Sequence, residues 1–327
     1  MDEMTLRRQV AETGRLLLEY GLVARTWGNF SARTDETHFL ITPSGLGYEQ
    51  MQPDDVVRFC MTDETGEGRR KPSSEKGIHI EAYRLFDDAA FVIHTHQPCA
   101  TALGLSPPDR LAVSEEERRS LGGIAWADYG LPGTKKLKDA VARALRTGAH
   151  TVLMKHHGAL ICGESREEAV RRALLLEDLC RRSLCRDVPV PAAEDAGALL
   201  SRLRKSFPEA DAEQGEATGA WSSLRLPLRA QLDDAAQMIG PRIPCADSED
   251  TLAALLRKHP AVFVPGIGAV VCGEDASDTA ALKVLTDKAA LAALHTRALH
   301  LRADLSLSDC LLMRSVYRLK YAKMKRG

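Results

Sequence analysis

An α/β fold is predicted by three features of this sequence. Short β-type runs alternate with segments of helical period, Gly- and Pro-containing turns separate them, and one strand–turn–strand–helix pattern occurs twice. Leu6–Tyr20 has apolar residues at helical spacing, and Gly21 follows as a C-cap. WGNFSART then reads as a turn, and HFLITPSG, from His38, as a short strand closed by a Pro-Ser-Gly turn. Asp54–Met61 reads as a strand and TDETGEGRRKPSS as a polar hairpin or loop. Glu75–Phe86 is amphipathic with helical period, Phe91–His94 is an apolar strand, and Pro98–Leu103 starts a helix on a proline. The polar stretch Leu105–Gly123 reads as a solvated helix, and GLPGTKKLKDAVARAL as a turn and helix. Thr151–Met154 is a β-type run, and Arg166–Leu184 is a long helix with apolar residues three and four apart.

The chain has 327 residues, enough for one large domain or two modest ones. Its 44 Lys and Arg against 45 Asp and Glu leave a formal charge of −1, which argues against a nucleic-acid binder relying on a basic surface. Hydrophobic residues at 44% and charged residues at 27% are ordinary for a globular protein, and no apolar run approaches a membrane span. The start MDEMTLRRQV lacks the apolar core of a signal peptide. The eight cysteines form no CxxC pair, and Cys60, Cys99, Cys162 and Cys272 sit in or beside apolar runs. Buried thiols in a reducing cytoplasm are therefore expected.

Residues 186–220, rich in Ala, Glu, Asp and Pro, read as a linker or irregular region in which Ala198–Arg204 can be helical. Beyond them the sequence echoes itself at an offset of 110. Val152, Gly158, Ala159, Cys162, Gly163 and Glu164 recur as Val262, Gly268, Ala269, Cys272, Gly273 and Glu274, and His157 becomes Ile267. The packing residues recur and the chemical one does not. The expected division is a catalytic domain over 1–220 and a degenerate, structural repeat over 221–327. The basic end SVYRLKYAKMKRG reads as a solvated helix end.

Four short elements carry candidate chemistry. His94 and His96 follow a buried strand, where residues i and i+2 point to one side, so both imidazoles can reach one metal ion; a pair of turn histidines is the plainer reading. The His156-His157-Gly158 segment can supply a third imidazole, which would make an open, catalytic type of site. Ser73-Ser74-Glu75 opens a helix, as an N-cap with an acidic first turn or as an anion-binding pair with an acid/base. Gly28-Asn29 and Ser44-Gly45 are tight turns, either ordinary loops or donors to phosphate oxygens.

In this order and spacing, GNFS from Gly28, LITPSG from Leu40, KPSSE from Lys71, VIHTH from Val92 and HHGALICGE from His156 resemble the class II aldolase/adducin family, closest to its L-fuculose-1-phosphate aldolases. The resemblance covers about residues 5–185, and residues 225–300 resemble the C-terminal extension of longer members. It implies a three-layer α/β/α fold around a mixed, largely antiparallel sheet. It implies one zinc, or another divalent transition metal, on His94, His96 and His157. It makes Glu75 the catalytic acid/base, its pKa raised by a dry site, and Gly28, Asn29, Ser44, Gly45, Ser73 and Ser74 the phosphate cradle. The activity implied is retro-aldol cleavage of a phosphorylated ketose to dihydroxyacetone phosphate and an aldehyde, by a cytoplasmic homotetramer with a small-molecule substrate and neither nucleic acid nor membrane as partner. The alternatives within the family are a dehydratase, decarboxylase or epimerase of a related sugar phosphate or acid, or a non-catalytic, adducin-like scaffold. One departure stands out. The segment AVSEEERRSLGG lacks the tyrosine that fuculose-phosphate aldolases use as a second proton donor, and its position falls near Glu116; Glu115, Glu116, Tyr129, Tyr317 and Tyr321 are the possible replacements.

Overall fold

The computed structural model describes residues 2–324, with side chains through 319. The chain divides into two compact units, Met1–Ser183 and Leu184–Gly327. The first holds α1 (Glu3–Glu19), β1 (Asn29–Arg33), β2 (His38–Ile41), β3 (Val57–Cys60), β4 (Gly66–Glu67), α2 (Lys76–Leu85), β5 (Phe91–Thr95), α3 (Pro98–Leu103), α4 (Glu115–Ser120), β6 (Ile124–Ala127), α5 (Lys135–Leu145), β7 (Thr151–Met154), β8 (Gly158–Gly163) and α6 (Arg166–Ser183). Its eight strands form one sheet in the order β4-β3-β2-β1-β5-β8-β7-β6. Every pairing is antiparallel except β6 with β7, so the sheet is mixed and largely antiparallel, as expected.

Helices cover both faces. Ile78, Ile80 and Tyr83 of α2 and Leu137, Val141 and Leu145 of α5 pack on Phe39, Phe59, Val92, Met154, Leu160 and Cys162 of the sheet. On the opposite face α1 packs on β1, and α6 on β5 and β8. The central strands β5 and β8 are buried along their whole length, which is why both read as continuous apolar runs instead of alternating ones.

Strand parity positions the site. Val92 belongs to the core under α2, so His94, two residues on, faces the same way. Across the β1–β5 ladder Ser31 pairs with Val92 and Asn29 with His94, which turns Asn29 and Ser31 toward α2 as well.

The second unit holds α7 (Gly197–Leu203), β9 (Ala210–Glu213), α8 (Glu216–Ser223), β10 (Leu228–Arg229), α9 (Asp233–Met238), β11 (Arg242–Ile243), α10 (Glu249–Leu256), β12 (Ala261–Val264), β13 (Gly268–Cys272), α11 (Ala276–Ala298) and α12 (Leu307–Met324). The boundary after Ser183 differs from the one expected at 220. The linker expected over 186–220 contains α7, one residue from the helix expected at Ala198–Arg204, and also β9, a full member of the antiparallel sheet β12-β13-β9. Its sequence, ADAE, is too short and too acidic to announce a strand.

The echo at offset 110 is a repeat of structure. β9 lies on β13 as β5 lies on β8: Glu213 pairs with Ala269 where Thr95 pairs with Ala159. Gly158 and Gly268 are needed for the same reason, because a Cβ on either would collide with the carbonyl oxygen of Thr95 or Glu213. Glu177 of α6 accepts from the backbone N–H groups of Cys99 (2.8 Å) and Ala100 (3.0 Å) at the start of α3. Asp287 of α11, 110 residues later, accepts from Thr218 N (2.9 Å) in the first turn of α8. By this register the second unit has Ala212, Gln214 and Ile267 where the first has His94, His96 and His157.

All eight cysteines are free thiols; Cys99 and Cys162 are buried as expected, whereas Cys60 and Cys272 are only half-buried. Among the described residues no helix is long and apolar enough to cross a membrane.

Candidate functional site

β5 ends at Thr95 and β8 begins at Gly158, and the site forms where these central strands meet the start of α2. Glu75, His94, His96 and His157 converge there, with one ligand atom from each lying within 4.8 Å of all the others. The three imidazoles are buried and packed against one another, with ring centroids 4.7–4.9 Å apart. His94 donates Nδ1–H to the carbonyl of Ala159 (2.9 Å), which leaves its Nε2 as a lone-pair donor aimed into the cluster. That Nε2 lies 3.1 Å from His96 Nε2 and 3.2 Å from Glu75 Oε2. Three imidazoles and a carboxylate this close need positive charge among them, as protons on the rings or as a bound cation, and the donor set fits a metal ion. Imidazole nitrogens with one carboxylate suit zinc and its transition-metal neighbours. Of the two adjacent histidines, His157 joins the cluster. His156 has a positive φ of 66° and turns its ring edge-on to Tyr129, with centroids 5.0 Å apart.

Glu75 occupies the N-cap position of α2, yet its side chain makes no capping bond, so the carboxylate is turned from the helix into the site. The expected serine cap is not formed at the helix start; Ser73 Oγ accepts from Glu75 N (3.2 Å) and so holds the residue that carries the carboxylate. Glu75 Oε2 accepts from Asn29 Nδ2 (3.2 Å), while Oε1, which accepts no hydrogen bond, lies 3.0 Å from His157 Nε2. Burial alone would push this carboxyl up, the direction expected from a dry site. The neighbouring His157 and His94 outweigh it and hold the pKa well below the usual carboxylate range. The shift therefore runs opposite to the direction expected from a dry site, because His157 and His94 stand beside the carboxylate.

The cradle residues lie on adjacent segments. Ser44 N donates to Lys71 O (2.9 Å) and Ser73 N to Thr42 O (3.1 Å), which zips 42–45 to 71–74. Those two amides are thus spent within the chain. Gly28, at φ 105°, lies so close to His94 that a Cβ would be 2.7 Å from the His94 carbonyl oxygen. Gly45 also has a positive φ, 77°. Ser73 is buried beside Glu75, whereas Ser74 is exposed. Asn29 is drawn inward onto Glu75.

Four residues of the site were missed in the sequence. Tyr48, pushed up by burial and by the Glu75 charge, donates its hydroxyl to Gly28 O (2.8 Å). His79 is wholly buried on α2, with Nε2 2.5 Å from Asn29 Oδ1 and Nδ1 2.6 Å from Ser31 Oγ, which in turn lies 2.7 Å from Tyr83 Oη. Burial, helped by the His94 charge, pushes the His79 pKa down to about 3. The available signal was Glu75, His79 and Tyr83 at i, i+4 and i+8, three polar-tipped residues on the buried face of one helix. Of the proposed second proton donors, Glu115 and Glu116 lie in the exposed first turn of α4, Tyr129 packs on His156, Tyr317 belongs to the second unit, and the side chain of Tyr321 lies outside the described residues.

Residues 8–184, more than half of the chain, match the family model described as class II aldolase and adducin N-terminal domain. Among solved structures, YgbL from Klebsiella pneumoniae, proposed as an aldolase/epimerase/decarboxylase, superposes with a TM-score of 0.52 at 23% identity, over 56% of this chain and 89% of its own. YgbL from Escherichia coli, described in the same terms, gives 0.51 at 23% identity, over 55% and 88%. An L-fuculose 1-phosphate aldolase gives 0.48 at 28% identity, over 54% and 84%. The two YgbL likenesses are to the fold.

Proposed function

Since this chain belongs to the class II aldolase and adducin family, we propose that it is a zinc-dependent lyase that cleaves a C–C bond of a phosphorylated ketose by retro-aldol chemistry. The products are dihydroxyacetone phosphate and an aldehyde. The observation that carries this reading is the convergence of His94, His96, His157 and Glu75 within 4.8 Å, with the protonated nitrogen of His94 already committed to Ala159.

His94, His96 and His157 would hold the metal. When bound, it supplies Lewis acidity toward the substrate's carbonyl and hydroxyl oxygens and so lowers the energy of a carbanion at C3. Glu75 handles the proton at C3. It removes that proton in the condensation direction; in cleavage the C4 hydroxyl gives up one proton as the aldehyde forms and Glu75, once protonated, delivers one to C3, so the protons balance. A carboxyl held well below its usual range is ionised at rest, which suits the abstracting half. Gly28, Asn29, Ser44, Gly45, Ser73 and Ser74 position the substrate phosphate, with the serine hydroxyls as donors, and contribute placement instead of bond chemistry. The first unit is the catalytic domain in this reading, the second a structural repeat with Ala212, Gln214 and Ile267 in place of the three histidines, and the working assembly a homotetramer.

The test is a panel of ketose 1-phosphates offered to the full chain loaded with zinc, with dihydroxyacetone phosphate detected by its coupled reduction. Formation that stops on chelation and returns with zinc is expected. An isomeric ketose phosphate, or carbon dioxide from a sugar acid, appearing in its place would overturn the aldol reading in favour of another reaction.

A further inference from the structure

The hydrogen bonds behind Glu75 form one unbranched chain, and their direction is dictated from the carboxylate end. The Asn29 atom 3.2 Å from Glu75 Oε2 is the amide nitrogen, which can only donate. The other end of that amide, Oδ1, can only accept, and it faces His79 Nε2 at 2.5 Å; Nε2 therefore carries the proton. A neutral imidazole has one donor and one acceptor, so Nδ1 accepts from the Ser31 hydroxyl at 2.6 Å. With its proton spent, Ser31 Oγ accepts from Tyr83 Oη at 2.7 Å. His79, Ser31 and Tyr83 are at most 2% exposed, and Asn29 is 3% exposed, so water does not compete for these bonds. The residues come from two elements with different repeats, positions 29 and 31 of β1 and positions 75, 79 and 83 at and along α2.

We propose that His79 is a positioning residue for Glu75: held as the Nε2–H tautomer by Ser31 and Tyr83, it fixes the Asn29 amide so that its N–H occupies Glu75 Oε2 and Oε1 is left as the oxygen that carries the proton. This rests on the acid/base reading of Glu75. It also gives Asn29 a second duty, since only one hydrogen of its amide remains for a substrate phosphate. A reversed tautomer would turn the amide over and set an oxygen against the carboxylate, displacing it from the reacting carbon without touching the metal ligands.

The first measurement needs no substrate. In the full chain with zinc bound and its histidines labelled with 15N, His79 is expected to show a protonated Nε2 and an unprotonated Nδ1, and Ser31→Ala is expected to mix or reverse the two. A wild-type Nδ1–H tautomer overturns the relay whatever the enzyme's reaction. The second measurement splits kcat from KM. His79→Leu is expected to keep its zinc and its KM while kcat falls by about 10- to 100-fold, the scale of an ångström-sized misplacement. His79→Gln, whose amide can donate the same bond to Asn29, is expected to recover much of that loss. Equal losses in both variants with a matching fall in Tm would mean that His79 is only part of the core, and would overturn the proposal. If His79→Leu does not fold, Ser31→Ala takes its place, with unchanged kcat as the overturning result. A wild type inactive on every ketose 1-phosphate but showing the Nε2–H tautomer would support the relay and remove only the reading of the reaction.

Discussion

His94 on β5 donates its Nδ1–H to the carbonyl of Ala159 on the neighbouring β8, and this 2.9 Å bond decides which nitrogen the site receives. Because the acceptor is backbone, the choice survives any change of side chain at 159. The ligand set is therefore built into the sheet.

Metal content should follow from this geometry. The full chain is expected to hold one zinc, measured as elemental content per chain after exhaustive dialysis, because the second unit has Ala212, Gln214 and Ile267 at the corresponding positions. His157→Ala is expected to hold none and to show no turnover. A second tightly held ion per chain, or full retention in His157→Ala, would contradict the assignment.

Glu75→Gln keeps the size of the side chain but removes the proton carrier. Zinc content should stay at the wild-type level while kcat drops by about 10²–10⁴-fold, the usual scale of a lost general acid/base. Undiminished turnover would remove Glu75 from the chemistry.

Ser73 and Ser74 are adjacent in sequence but unequal in position, one buried beside Glu75 and the other exposed. Ser73→Ala is expected to raise KM for phosphorylated ketoses more than Ser74→Ala does, with little change in kcat for either. Equal KM values in wild type and both variants would show that the phosphate sits elsewhere.

Stability should depend on pH through His79. Its folded pKa of about 3 lies below the ordinary value of 6.5. Between those values the unfolded chain takes up a proton that the folded chain refuses, so stability rises with pH, by about 1.4 kcal/mol per unit for this one group. The contribution is complete above pH about 6.5 and is lost progressively toward pH about 3. Urea unfolding of wild type and His79→Gln across this range should show the steeper slope in wild type; parallel slopes would mean that His79 is protonated in the fold.

Much of the first unit was legible in the sequence because its signals are local. The helix ending at Glu19, the strand 91–95 and the helix 166–183 each declare themselves within their own residues, and the order of GNFS, KPSSE, HTH and HHG carried the ligand set. β9 was not legible, since ADAE becomes a strand only through pairing with β13. The direction of the Glu75 shift was not legible either, as it depends on how close His94 and His157 come to the carboxylate from other elements. Asn29 reads in sequence as a turn residue in a phosphate loop. Only the facing of β1 and α2 shows that its amide is spent between His79 and Glu75.

The two units share a strand ladder, a glycine at a backbone crossing and an acid that closes a short helix, and differ in what stands at three positions. The molecule thus carries its own blank. A solvent, temperature or substitution that disturbs Gly158 and Gly268 alike is acting on architecture, and one felt in the first copy alone is acting on chemistry.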